Sequence, residues 1–297
     1  MIEGRASRTA EGPTICRVIE SFAPEDKRVC YDPLALEFLN EKVQATYRNF
    51  QKSRFLTKLL LWLSHIDPSG TKAELVARTR YFDDYLQSCI SDGVEQVVIL
   101  GAGNDSRAYR FKGLEELKVF EVDHPPTQKR KMANVKRVFG DLPRWVTYVP
   151  IDFEKENLAE KLLASGYKRD SRTLFIWEGV TMYLTAEAVD KTLSFVAGSS
   201  GRGSTIIFNY WHRSAVDGTS RWRWAKRLRR KCQKMGEPVT FGIEPDSIEE
   251  FLTMRGFSQV RRVTPSLLMS LYFKGPNAKR KVCPFIEIVH ATVGAVG

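Results

Sequence analysis

The spacing of apolar residues changes near residue 90. Before that point apolar side chains recur at helical intervals, so residues 1–90 are predicted to be mostly helical. The clearest series is Leu75, Phe82, Leu86 and Ile90. Residues 7–11 resemble a helix-capping sequence, and the Asp-Pro pair at Asp32 is typical of a helix start.

Beyond residue 90, short apolar runs alternate with amphipathic segments. The predicted strands are 94–100, 117–122, 146–151, 173–177, 204–209, 258–263 and 284–292, and the predicted helices lie near Ser106 and over 125–138, 156–165, 186–197 and 246–255. This alternation predicts an α/β fold whose mostly parallel sheet carries helices on both faces. The last two strands are separated by about 20 residues with only loop signals, which favours an antiparallel hairpin at the end of the sheet.

Residues 55–63 form the longest apolar cluster, which is too short to span a bilayer and contains Lys58. We predict a buried helix there. The first five residues lack the apolar core of a secretory signal and match a protease site that expression vectors carry, so no functional argument is built on them.

Composition indicates an ordinary globular protein rather than a fibrous or disulfide-rich one. Hydrophobic residues make up 43% of 297 residues, which supports an ordinary core. The five cysteines include no Cys-x-x-Cys pair, so we expect neither a disulfide framework nor a metal site, and a reducing, cytoplasmic location. The net charge of +11 suits an anionic partner such as nucleic acid or a membrane surface, but it also serves solubility.

A glycine turn follows the first predicted strand, in the segment from Gly101 to Arg107. Asp123 ends the second strand and lies 20 residues beyond Gly103, a spacing at which an acid accepts hydrogen bonds from ribose hydroxyls. The third glycine of the dinucleotide fingerprint is replaced by Ser106, and no Walker lysine follows. A nucleoside ligand without phosphates, such as S-adenosylmethionine, therefore suits the turn. A dinucleotide and an ordinary strand-to-helix turn stay open.

The other strand exits also carry acids. Ligands of open α/β sheets bind beyond the carboxyl ends of the strands. Asp152 and Glu178 stand at two of these ends, with Asp123 at a third. The competing interpretation is that these acids cap the helices that follow.

Several motifs together resemble the leucine carboxyl methyltransferase family, and most closely its bacterial and archaeal branch of S-adenosylmethionine-dependent methyltransferases. They are residues 7–12, Asp32-Pro33, residues 77–80 with 82–85, residues 101–107, 120–125, Asp152-Phe153 and residues 177–184. The resemblance covers roughly residues 7–210. It implies a Rossmann-like class I methyltransferase fold with a seven-stranded sheet, in one domain over residues 1–297. A helical cap would form residues 1–90, and the core 91–297 would carry a basic insertion at 211–244.

The resemblance also implies a cofactor, S-adenosyl-L-methionine, with S-adenosyl-L-homocysteine as the product. Arg78 would pair with the methionine carboxylate, a task that suits a guanidinium fork, although Arg80 is an equally available donor. Gly101, Ala102 and Gly103 would lie against the methionine portion.

The strand exits would bind the rest of the cofactor. Asp123 would accept from the ribose hydroxyls, with Glu121 as a weaker substitute and His124 beside the ribose. Asp152 would accept from the adenine amino group while the backbone of Phe153 completes that edge. Glu178, followed by Gly179, would hold the ammonium group, because a buried carboxylate needs a partner.

The methyl acceptor is less determined. A carboxylate is ionised at neutral pH and needs no base, whereas a hydroxyl must lose a proton to a positioned side chain. Tyr183 would face the methyl group, or else be a core aromatic. His212, at the end of the strand 204–209, is the one histidine placed to act as a base, although a lone histidine is more often structural. A carboxylate of a small molecule or protein is favoured, and a hydroxyl stays open.

The segment 221–231 is basic and contains Trp222 and Trp224. As a helix it suits a lid over an acidic substrate, an interfacial helix on an anionic surface, an RNA contact, or a solvated helix packed on the core. Two further functions stay open at this point. They are a nicotinamide oxidoreductase and an RNA-binding protein that uses the methyltransferase fold as a platform.

Overall fold

One seven-stranded sheet organises the protein, with strand order β3-β2-β1-β4-β5-β7-β6 in a computed structural model that describes residues 10–294. The strands are β1 Gln96–Leu100, β2 Lys118–Asp123, β3 Val146–Pro150, β4 Thr173–Trp177, β5 Thr205–Trp211, β6 Phe257–Val263 and β7 Ile286–Val293. Strands β1 to β5 pair in parallel, and β7 runs antiparallel to both β5 and β6. The predicted class I methyltransferase sheet and its antiparallel end are confirmed.

Helices cover both faces of the sheet. They are α1 Glu11–Ser21, α2 Glu41–Gln51, α3 Arg54–His65, α4 Thr71–Ser91, α5 Arg107–Arg110, α6 Pro125–Phe139, α7 Leu158–Ala164, α8 Ala186–Gly198, α9 Arg213–Asp217, α10 Arg223–Lys234, α11 Ile248–Thr253 and α12 Pro265–Tyr272. Short 3₁₀ turns lie at Ala35–Phe38, Leu114–Glu116, Thr181–Tyr183, Pro245–Ser247 and Gly275–Asn277. Within residues 10–294 no helix has both the length and the apolar character needed to cross a bilayer.

The core lies on the two faces of the sheet. On one face α7, α8 and α11 pack on the strands, and on the other α4 and α12 do. Helix α4 buries Ala77, Phe82 and Leu86 completely, so this helix of the N-terminal region is part of the sheet's own core. The burial fixes α4 on this face of the sheet, and with it the position of Arg78.

A helix was predicted correctly over residues 55–63, but the prediction that it is buried is wrong. The segment is helical, as α3, but the helix buries none of its residues. Phe55 is 73% exposed and Trp62 62% exposed. Helix α3 contacts α1, α2 and α4 with its other side, so its apolar face points away from the core.

Two smaller predictions also differ from the structure. The loop expected between β6 and β7 contains α12, which begins with Pro265 and is capped by Thr264, whose Oγ1 accepts a hydrogen bond from the Leu267 amide at 3.2 Å. Asp32 begins only the 3₁₀ turn Ala35–Phe38, and its carboxylate is instead buried against Arg17 at 2.8 Å. The capping sequence at residues 7–11 lies mostly outside the described residues.

Candidate active site

A cavity of about 650 Å³ opens beyond the carboxyl ends of β1, β2 and β4. This is a size typical of small-molecule sites. The cavity is lined by eleven of the twelve residues that the sequence predicted for the site: Arg78, Gly101, Ala102, Gly103, Asp123, His124, Asp152, Phe153, Glu178, Gly179 and Tyr183. The chain thus gathers residues from α4, four strand exits and a 3₁₀ turn in one place.

The glycine turn forms the floor of this cavity. Gly101 and Gly103 have φ values of +68° and +42°, a backbone conformation that favours glycine. A Cβ at position 101 would lie 2.3 Å from Cγ2 of Val180, so this position has no room for a side chain. The Gly103 amide donates to Asp123 Oδ2 at 2.5 Å, and the His124 amide donates to Oδ1 at 2.7 Å. Asp123 therefore fixes the turn as well as lining the cavity.

Burial raises the pKa of Asp123, against the lowering effect of these two amides. Each carboxylate oxygen accepts one backbone hydrogen bond, and an ionised carboxylate can accept about four in all. The group therefore keeps capacity for hydroxyl donors from a ligand. Beside it, His124 Nδ1 is a buried atom that has no hydrogen-bond partner among the described residues.

Arg78 stands between two carboxylates. Its Nε donates to Glu178 Oε1 at 2.9 Å, and its Nη1 donates to Glu74 Oε1 at 3.0 Å. The remaining nitrogen, Nη2, lies beside Gly179, where a Cβ would approach it to 3.8 Å. Within residues 10–294 Nη2 makes no hydrogen bond, so it is the nitrogen available to an external carboxylate.

Glu178 joins this arginine to a second one. Its other oxygen, Oε2, accepts from Arg107 Nη1 at 2.7 Å. Burial would raise the pKa of Glu178, but the charges of Arg107 and Arg78 outweigh burial and hold the pKa below its ordinary value. Glu178 is therefore ionised at neutral pH and can accept a hydrogen bond from a cationic ligand group.

The ion pairs continue behind the glycine turn. Arg107 also binds Asp83 and Asp105, each at 2.7 Å, and Arg110 binds Asp83 at the same distance. Burial would raise the pKa of Asp105, but Arg107 and Lys131 lower it to about 2. These buried charges are paired, which is the condition for their stability in a protein interior.

Asp152 holds a turn in the loop between β3 and α7. Its Oδ1 accepts from the Glu154 amide at 3.1 Å, and its own amide donates to Glu156 Oε2 at 2.8 Å. The helix that follows, α7, is capped by Asn157 and not by Asp152, so the capping interpretation is wrong for Asp152. Asp152 and Phe153 line the cavity instead. Their predicted contact with adenine stays a prediction.

Glu121 and Arg80, which the sequence offered as alternatives to Asp123 and Arg78, lie elsewhere. Glu121 is fully buried, and it binds Lys131 Nζ at 2.6 Å and the Tyr109 hydroxyl at 2.9 Å. Burial raises its pKa to about 7 despite Lys131. Arg80 is exposed and pairs with Asp84 at 2.7 Å. Neither Glu121 nor Arg80 lines the cavity.

The opposite end of the cavity has a different lining, which comes from α4, the 3₁₀ turn Thr181–Tyr183, β5, β7 and α10. Its apolar residues are Leu75, Met182, Leu184, Trp211, Leu228, Met235 and Ile286. Lys72 and Lys231 supply two cations, and Glu237 supplies a buried carboxylate. The Tyr183 hydroxyl lies here, 3.9 Å from Cys232 Sγ. We call this part the acceptor end, and the part around Gly101, Asp123 and Glu178 the donor end.

His212 is not among the residues that line the cavity. Its Nε2 lies 3.3 Å from Glu287 Oε1, a carboxylate that also accepts from Tyr210 and Arg262. The prediction placed His212 correctly at the exit of β5. Strand β7, which pairs antiparallel beside that exit, brings Glu287 to it and gives His212 a structural partner.

Sequence reasoning missed several lining residues. Glu74 could have been found, because it precedes Arg78 by one helical turn and acid-arginine pairs at that spacing interact. Arg17, Lys72 and Glu237 belong to no motif, and only the fold brings them to the cavity.

The donor end fits the cofactor that the sequence predicted. It offers a glycine turn without side chains, a carboxylate with free acceptor capacity at Asp123, an ionised carboxylate at Glu178 and an unbonded nitrogen on Arg78. These groups match ribose hydroxyls, an ammonium and a carboxylate, the polar groups of an amino-acid nucleoside.

Comparisons with known proteins agree with this geometry. Residues 10–197 match the family model described as leucine carboxyl methyltransferase. A Bacillus subtilis protein named "Putative S-adenosyl-L-methionine-dependent methyltransferase YktD" is 28% identical over 86% of this chain and 82% of its own length. A Mycolicibacterium paratuberculosis protein with the same functional name is 33% identical over 74% of this chain and 69% of its own.

A solved structure supports the fold. The crystal structure titled as a putative methyltransferase from Thermobifida fusca superposes with a TM-score of 0.55 at 12% identity, over 95% of this chain and 96% of that one. The family model and the two relatives confirm the family resemblance of the sequence motifs. The chain belongs to the leucine carboxyl methyltransferase family.

Proposed function

We propose that this protein transfers a methyl group from S-adenosyl-L-methionine to the carboxylate of an acid that has an apolar body. The methyl donor is S-adenosyl-L-methionine, in keeping with the chain's relatives. The observation that supports an acid with an apolar body as the methyl acceptor is the lining of the acceptor end. There Lys72 and Lys231 accompany a largely apolar wall.

The donor end holds the cofactor by charge and shape. Arg78 Nη2 binds the methionine carboxylate, while Glu178 accepts from the ammonium. Asp123 accepts from the ribose hydroxyls, and the turn at Gly101 lets the backbone approach the ligand closely. The paired arginines keep Glu178 ionised, so the site is charged correctly before the cofactor arrives.

The acceptor end suits an acid for two reasons. A carboxylate with a pKa of about 4 is already ionised at neutral pH, so the displacement at the methyl group needs positioning and no base. Lys72 and Lys231 attract such an anion, and Leu75, Leu228 and Met235 can pack against its apolar part. In this proposal Tyr183, which lines the cavity, contacts the reacting groups.

A hydroxyl acceptor is the second candidate, and Glu237 is the observation that favours it. This carboxylate is buried and lines the acceptor end, so it can act as the base that the sequence assigned to His212. The two candidates predict different products. An acid gives a methyl ester that alkali hydrolyses, whereas a hydroxyl gives an ether that alkali leaves intact.

The test is transfer of labelled methyl groups from S-adenosyl-L-methionine to extracted cellular metabolites, followed by alkali treatment. We expect an alkali-labile product. The double variant Lys72→Ala/Lys231→Ala should lower transfer by about tenfold, the value of a lost charge-assisted contact, with little change in S-adenosylhomocysteine affinity. Lys226→Ala, on the exposed side of α10, is the matched control and should retain transfer. An alkali-stable product that is lost in Glu237→Gln would instead establish the hydroxyl acceptor.

A further inference from the structure

Helix α3 carries an apolar face that nothing in the described chain covers. Six large apolar side chains in and just after this helix recur at helical spacing and share one side. All are exposed: Phe55, Leu56, Leu59, Trp62 and Leu63, with Ile66 at the residue after the helix. Contiguous exposed apolar surface of this kind marks an interaction site. We refer to these six residues as the α3 apolar face.

Basic residues border the end of this helix. The loop after α3 is joined to the segment before β7, because the Cys283 amide donates to the Gly70 carbonyl at 3.0 Å. That segment presents the exposed cations Lys279 and Lys281 just before Cys283. The α3 apolar face therefore ends near positive charge.

A larger group of cations lies on α10. Besides Lys231, which lines the cavity, five of its residues are exposed and basic: Arg223, Lys226, Arg227, Arg230 and Lys234. The opposite side of α10 packs into the core through Ala225 and Cys232, in the same apolar cluster as Cys283. Cys283 thus contacts the loop after α3 on one side and belongs to the cluster that holds α10 on the other.

The loop after α3 and helix α10 also line the same cavity. The loop after α3 contributes Asp67 and Ser69 to its lining, and α10 contributes Leu228, Lys231 and Met235. An uncovered apolar helix and a strongly basic helix therefore flank the acceptor end of the site.

We propose that this surface docks the protein on an anionic lipid bilayer. The α3 apolar face inserts at the boundary between headgroups and acyl chains, and the cations of α10, with Lys279 and Lys281, contact the anionic headgroups. Apolar side chains and cations on neighbouring surfaces are the combination that binds such membranes.

Other occupants match only part of this surface. Nucleic acid would satisfy the cations but leave Phe55 and Trp62 in water. A second copy of the chain could cover the α3 apolar face, but a symmetric dimer built there would bring equal positive charges toward each other. A bilayer accommodates both features, and the inference does not depend on which methyl acceptor the enzyme uses.

The test is flotation of the full chain with vesicles at low salt. Vesicles of phosphatidylglycerol and phosphatidylcholine in equal parts should bind the protein, vesicles of phosphatidylcholine alone should bind it far less, and added salt should weaken the binding. Trp62→Glu/Leu63→Glu and Arg227→Glu/Arg230→Glu should each lower the partition coefficient by about tenfold or more. Met254→Glu is the control, because Met254 is 77% exposed at the end of α11, outside this surface.

Titration with S-adenosylhomocysteine, together with the melting temperature of each variant, verifies that it is folded. Absence of binding to the anionic vesicles would overturn the proposal, and so would binding that Trp62→Glu/Leu63→Glu leaves unchanged. A concentration-dependent dimer that this same variant dissociates, without vesicle binding by the native chain, would assign the surface to a second copy instead.

Discussion

The two ends of the cavity are built in different ways. At the donor end, Glu178 accepts hydrogen bonds from Arg78 at 2.9 Å and from Arg107 at 2.7 Å. The three residues stand on the buried helix α4, at the exit of β4 and at the start of α5. At the acceptor end, the wall comes partly from α10, which buries only Ala225 and Cys232. The difference indicates that the cofactor part is pre-organised, whereas the acceptor part rests on a helix with little core contact.

The largest effect on the donor end should come from adding a side chain to the glycine turn. Gly101→Ala should lose S-adenosylhomocysteine affinity by far more than tenfold, because its Cβ would lie 2.3 Å from Val180 Cγ2. Gly93→Ala is the matched control, since Gly93 also has a positive φ, +79°, but has open space around it. Both variants should lose about 1–3 kcal/mol of stability from backbone strain. Equal cofactor affinity in the two would show that the turn does not contact the ligand.

The paired charges of the donor end should also make the free energy of unfolding depend on pH in acid. The pKa of Asp105 is lowered to about 2 in the folded protein, so its contribution to stability is present above its unfolded pKa near 4 and is lost as the pH falls toward 2. The contribution amounts to about 2 kcal/mol. Urea unfolding between these pH values should show a shallower decline in Asp105→Asn than in the native chain. Equal declines would mean that the Asp105–Arg107 pair adds no net stability.

The smallest expected effect needs no substitution and compares amide hydrogen exchange at the two ends of the cavity. Amide hydrogen exchange should be slow in α4 and faster in α10, because protection follows burial and local contact density. Addition of S-adenosylhomocysteine should slow exchange at residues 101–105 and 178–180, with little change in α10. Equal slowing in α10 would show that the two ends form one cooperative unit.

The donor end could be predicted from the sequence because its groups lie in short local patterns. The glycine turn, Asp123 and Glu178 each follow a buried apolar run, and a parallel sheet brings such strand exits to one edge. Helical spacing likewise fixed which side of α4 is buried. Helical spacing over three or four residues, together with the rule that parallel strands end at one edge, was therefore sufficient to predict this end of the cavity.

The remaining features depend on contacts between distant segments. Glu287 reaches His212 only because β7 pairs antiparallel with β5. Glu237, in the turn after α10, lines the cavity only because the fold brings α10 to it. The spacing of Phe55 and Trp62 predicts an apolar helix face correctly, but spacing carries no information on whether another element covers that face. Burial of that face was therefore the part of the prediction that failed.

The central claim is that Arg78 and Asp123 bind the cofactor, and calorimetric titration with S-adenosylhomocysteine tests it most directly. The native chain should bind, and Arg78→Lys and Asp123→Asn should each bind about tenfold or more weakly, because a bidentate or charge-assisted contact is lost. Arg80→Lys, on the same helix but outside the cavity, should bind like the native chain. Unchanged affinity in both Arg78→Lys and Asp123→Asn would contradict the assignment of the donor end.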